Sequence, residues 1–244
     1  MKKRLQAVGF ALCFANFAFA APKAIPLDTI AFTQADLNKL CQQMPNGCEG
    51  RNEKVGIYTD KQNFYFIDGG RQIALLEKTA DFFTVKTVWD FKDYQHNFTP
   101  SEDEPGAMQE LEIYPAFYPL NAEKKAIAIL APVWGGYSGG YMTHQTADFV
   151  ELKPDGSYDV ALKSLDFYHE EEIRACFSEE EYRHNPNCHD ASTTVLSIKF
   201  KEGSPYYHWE LSYTTTEHPH GVSEKMRKVT KSKPVSLIPY QQGK

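Results

Sequence analysis

Gly136-Tyr137-Ser138-Gly139-Gly140 satisfies the pattern G-x-S-x-G. In α/β-hydrolases that pattern makes a sharp strand-to-helix turn, which lifts the serine hydroxyl toward a histidine base. An apolar strand candidate, 126–130, stands just upstream, as the pattern requires. After Gly140, however, come Tyr141-Met142-Thr143-His144 and further strand and hairpin signals, where a helix should begin. The strand–helix alternation that surrounds such an elbow is missing as well. A secreted serine hydrolase using Ser138 and one of the late histidines is therefore the secondary reading. The primary one is a glycine-rich loop between two strands.

That loop offers chemistry of a different kind. From Trp134 to Tyr141 aromatic residues alternate with glycines. Glycine lets a backbone approach another chain closely, and Trp and Tyr supply rigid contact area with a polar edge. Trp134, Tyr137 and Tyr141 are candidate binding anchors, with packing onto their own sheet as the competing use.

Histidines gather late, as His169, His184, His189 beside Asp190, and His218-Pro219-His220. Imidazole with carboxylate can hold zinc, which makes His184, His189 and Asp190 the candidate ligands. Their spacing fits neither H-x-x-x-H nor H-E-x-x-H, so the expectation is no metal and no cofactor. Glu170, Glu171 and Glu172, like Glu179, Glu180 and Glu181, read as solvated helix faces, because a catalytic carboxylate needs desolvation to raise its pKa. The two runs also make a negative patch beside Cys176 and Cys188, suited to steering a basic partner.

The elements that must carry these residues begin with Met1-Lys2-Lys3-Arg4, an apolar stretch over 7–15 and Ala18-Phe19-Ala20 before Ala21. Charged start, short apolar core and small-x-small site are those of a signal peptide cleaved after Ala20. The apolar stretch is too short to span a bilayer, which takes about 20 residues. Removing residues 1–20 takes away three positive charges and no negative one, so 23 Lys and Arg face 32 Asp and Glu, a net −9. Such a surface repels nucleic acid and anionic membranes. With Cys13 gone, Cys41, Cys48, Cys176 and Cys188 remain. An even number in an exported chain points to disulfides; of the three pairings possible, Cys41–Cys48 and Cys176–Cys188 close the shortest loops.

Thr33 is a helix N-cap, with Leu37, Leu40, Cys41 and Met44 on one stripe before Pro45-Asn46-Gly47. Beyond Val55 the signals are strands and hairpins, turning at Asp68-Gly69-Gly70, at Lys153-Pro154-Asp155-Gly156 and at Gly203-Ser204-Pro205. Ser178 and Glu181 form a capping box. The tail over 225–233 carries five positive charges and reads as a solvated final strand. The expected protein is a signal peptide (1–20) and one mainly β domain (21–244). Its antiparallel sheets are sandwich- or barrel-like, with a short N-terminal helix and a helical insertion near 169–185; α+β is the alternative. The expected role is a periplasmic binding or inhibitor protein, such as an immunity protein that neutralises a toxin or lytic enzyme by direct contact. Its contact surface would join Trp134, Tyr137 and Tyr141 to the acidic helix at Glu179, Glu180 and Glu181.

Overall fold

The computed structural model describes residues 21–48, 55–69, 71–80, 82–96, 98, 106–185 and 187–242. Residues 1–20, read above as a signal peptide, and most of the polar segment 97–106 lie outside the described residues. The chain enters with β1 (Ile25–Pro26), β2 (Asp28–Ile30) and α1 (Gln34–Cys41). Then come β3 (Gly56–Thr59), β4 (Phe64–Ile67), β5 (Gln72–Lys78) and β6 (Phe83–Asp90). β7 (Ala107–Met108) and β8 (Glu112–Pro119) precede the long strands β9 (Lys125–Tyr137), β10 (Gly140–Leu152) and β11 (Tyr158–Arg174). Helix α2 (Glu179–His184), β12 (His189–Lys201), β13 (His208–His218), β14 (Lys228–Lys231) and β15 (Val235–Leu237) complete the order.

All pairings are antiparallel. β2 to β6 form a meander of five strands, and a ten-stranded half-barrel runs β1-β8-β9-β10-β11-β12-β13-β14, with β7 on β9 and β15 on β13. Period-two side-chain alternation builds the layers. On β9, Ile127 and Ile129 enter the core between the two sheets with Tyr65, Ile73 and Phe117. Ala126, Ala128 and Leu130 point the other way, toward Phe149 and Trp209. Phe66 and Ala74 face outward from the small sheet, where Leu37 and Leu40 of α1 cover them. Pro115 and Pro119 lie in β8, whose outer neighbour is only the two-residue β1. That near-edge position is where a strand tolerates proline.

α1 is capped by Thr33, whose side chain accepts from the Asp36 amide while Asp36 returns the contact. It stops at Cys41, one turn earlier than its apolar stripe suggests, and Met44 is buried from the turn beyond it. Gln43, also in that turn, donates to the Phe83 carbonyl and accepts from the Val85 amide. One side chain thereby occupies the open edge of β6, the kind of edge that otherwise recruits other strands. Both disulfides pair locally, Cys41 with Cys48 and Cys176 with Cys188. They point to an oxidising, extracytoplasmic compartment for the chain.

The helical insertion is shorter than expected. Residues 169–174 belong to β11, and only Glu179–His184 is helix. Three consecutive glutamates are tolerated in a strand because their side chains point to alternate faces, and Tyr141 and Met142 of β10 pair opposite Glu172 and Glu171. The capping box at Ser178 and Glu181 does start α2. Thr79-Ala80-Asp81-Phe82 recurs in the sequence as Thr146-Ala147-Asp148-Phe149, but the two are not a repeated unit, since Thr79 and Phe82 close a turn whereas 146–149 run mid-strand in β10.

Candidate functional site

Ser138 stands at the tip of a hairpin. Tyr137 pairs with Gly140 across the two-residue turn Ser138-Gly139, and Gly139 takes φ +93°, a conformation that favours glycine. A strand follows where a nucleophile elbow requires a helix. Among the described residues no histidine is at hydrogen-bond distance from Ser138, and the nearest along β10, His144, contacts Asp166 at 3.2 Å. The segment read as a glycine-rich loop is thus the paired ends of β9 and β10.

Those ends belong to a part of the large sheet that projects past the core. From Asp166 to Ala175 no residue of the chain is buried, although β11 lies between β10 and β12. Among the described residues no core layer covers either face of this central strand, although the Phe98 ring packs edge-on against His144 beside it. We call this region, the upper halves of β9 to β13, the blade.

Register assigns each side chain to a face. Trp134 pairs with Thr143, Thr143 with Glu170, Glu170 with Thr193, and Thr193 with Thr216. Gly136, Tyr141, Glu172 and Ala191 form the next row on the same face. Tyr137 points to the opposite face, where its hydroxyl donates to Glu171. The expected trio of aromatics is therefore split two and one. Trp134 is 53% exposed, and a Cβ on Gly136 would meet its ring at 2.8 Å. The indole lies on that glycine, held without being covered.

Carboxylates do adjoin Trp134 and Tyr141, but they are not those of α2. Tyr141 donates to one oxygen of Glu170 at 3.0 Å and Tyr168 to the other at 2.7 Å. Desolvation first, and then the bond to Glu170, raises both phenols, Tyr168 up to about 12. Both remain donors at any physiological pH. Glu179, Glu180 and Glu181 sit apart, on a helix with no buried residue. Glu181 serves the cap, with backbone hydrogen bonds from Phe177 and Ser178 holding its carboxyl below the usual range, and Glu179 bonds Arg183. Glu170 and Glu172 were legible as Tyr168-x-Glu170-x-Glu172, a period of two, had the run been taken as strand.

The proposed metal ligands do not converge. His184 contacts the Glu180 carbonyl, His189 approaches Glu172 at 3.7 Å, and Asp190, on the other face of β12, meets His220 at 3.3 Å. Among the described residues no three His, Cys, Asp or Glu are grouped to hold an ion. On the face opposite Trp134, His144, His169, Asp166 and Tyr213 line an open cleft of about 370 Å³.

A buried polar cluster lies where β10 passes from core to blade, and nothing in the sequence marks it. Asp148, fully buried, accepts from the Tyr94 hydroxyl and the Ser164 amide, each at 2.6 Å. His96 faces it at 3.4 Å, and the Nδ1 of His96 accepts from the Phe98 amide at 3.1 Å. Burial lowers the His96 pKa, outweighing the attraction of Asp148. The Phe98 contact agrees, since a protonated Nδ1 has no lone pair to offer an N–H. The unfolded chain then binds the proton more readily, so stability is complete above about pH 6.5, the ordinary histidine value, and falls as pH drops below it. Denaturant titrations at pH 7.5 and 5.5 should show this loss, and His96→Gln should remove it. A slope unchanged in that variant would assign the pH dependence to other groups.

The chain matches no family model, no curated protein and no solved structure.

Proposed function

We propose that this chain is a binding protein of the periplasm, exported by cleavage after Ala20, that acts by direct contact with another, basic protein. An inhibitor or immunity protein directed at a toxin or lytic enzyme is the role that fits. One observation carries the reading: Trp134 is more than half exposed, yet seated on Gly136 in a regular strand pair. An aromatic anchor fixed before contact loses little freedom on binding, and tryptophan is the side chain most enriched among residues that dominate interfaces. No residue of the blade's central strand from Asp166 to Ala175 is buried, and the net charge of the mature chain, −9, favours a basic partner.

Capture from periplasmic extract, or with the product of a neighbouring gene, followed by binding kinetics, tests the proposal. Trp134→Ala should raise the dissociation rate about 30-fold, the equivalent of roughly 2 kcal/mol. Neutralising Glu179, Glu180 and Glu181 should slow association and flatten its salt dependence, leaving dissociation nearly unchanged. Failure to capture a partner, or parental kinetics in the Trp134 variant, would remove the blade as the contact surface.

A further inference from the structure

We infer that the Trp134 face of the blade recognises an arginine side chain of the partner; this rests on the protein-binding reading above. Trp134 and Glu170 occupy one row with only Thr143 between them. Adjacent strands are about 4.8 Å apart, so the indole and the carboxylate rise from the sheet roughly 10 Å from each other over a small floor residue. In the next row Tyr141 pairs directly with Glu172, and its side chain reaches back to Glu170, closing one end of that space. It has an aromatic wall on one side and carboxylates on the other.

Three features favour guanidinium over other cations. Each Glu170 oxygen takes one tyrosine hydroxyl, which fixes the carboxylate and leaves each oxygen a second lone pair. A planar fork of donors matches that geometry. A guanidinium also stacks on an exposed indole, whereas an ammonium, more strongly hydrated and without a plane, gains less. The chain's own Arg174, next along this face, does not fill the space, because its guanidinium lies over the Phe177 ring at 5.0 Å. The one cationic group paired with Glu172 among the described residues is His189, at 3.7 Å.

The purified protein and a labelled, acetylated tri-arginine amide test the inference by fluorescence anisotropy, with tri-lysine amide as comparison. Trp134 emission is a second readout, because Trp89 and Trp209 are buried. The arginine peptide should bind at least tenfold more tightly than the lysine peptide. Glu170→Gln with Glu172→Gln should cost at least tenfold, and Trp134→Leu a similar factor. Glu77→Gln with Glu123→Gln, the same charge change at exposed positions away from the blade, should stay within twofold. Glutamine keeps an acceptor for the tyrosine hydroxyls; if that pair of substitutions lowers the melting temperature markedly, Trp134→Leu alone decides. Equal binding of the two peptides, or equal losses from the blade substitutions and from the Glu77 and Glu123 changes, would overturn the assignment. Partner binding that survives the Glu170 and Glu172 changes but not Trp134→Ala would also overturn it, while leaving the protein-binding reading in place.

Discussion

Asp148→Ala should lower the unfolding free energy by about 3–5 kcal/mol, the range found when one member of a buried polar pair is removed. The reason is what stays behind. The Tyr94 hydroxyl, the Ser164 amide and His96 all converge on this carboxyl inside the protein. Removing it leaves buried donors with no acceptor and no route to water, and each such group costs about 1–3 kcal/mol. Total stabilities are about 5–15 kcal/mol, so the variant should be near the edge of folding. Asp148→Asn retains one acceptor oxygen and should fall between the parent and the alanine variant. Because the groups form one network, Tyr94→Phe combined with Asp148→Ala should cost less than the two changes added. Urea titration with a common slope measures all of these. A loss below about 1 kcal/mol for Asp148→Ala would mean that the site relaxes or admits water.

The same residue shows where sequence reading stops. Asp148 sits in Thr146-Ala147-Asp148-Phe149-Val150, an alternating run that identifies a strand but not the loop that will fold over it. Its partner Tyr94 is 54 residues away and comes from irregular chain. Local signals are read well: the hairpin turns, the Ser178 capping box, both disulfides and the apolar centre of β9 all follow from neighbouring residues. The blade was less legible. Glu170, Glu171 and Glu172 suit an exposed helix when taken alone, and the alternation that makes them strand is plain only once Tyr168 is paired with Gln145. The aromatics near 134–141 were visible as a group. Period two alone separates Trp134 from Tyr137 on β9, but which of them Tyr141 joins was not visible, because it depends on the turn at Ser138 having two residues and setting the register.

Of the tryptophans, Trp209 and Trp134 should respond to alanine in opposite ways. Trp209 is completely buried, with the rings of Phe149 at 4.9 Å and Phe200 at 5.2 Å, and its indole nitrogen donates to the Pro119 carbonyl at 3.1 Å. Trp209→Ala would open a large cavity among β8, β10, β12 and β13 and leave that carbonyl unpaired. Such truncations cost about 3–5 kcal/mol, which lowers the melting temperature by roughly 10 °C in a chain of this size. Trp134 lies against Gly136 and is more than half exposed. Trp134→Ala should therefore keep the unfolding midpoint within about 0.5 kcal/mol of the parent, as for other surface changes. Thermal melts of the two variants side by side give the comparison. If Trp134→Ala melts as early as Trp209→Ala, its indole is part of what holds the blade together. The exposed face would then be a structural surface, and the anchor proposed for the partner would have to be sought elsewhere on the blade.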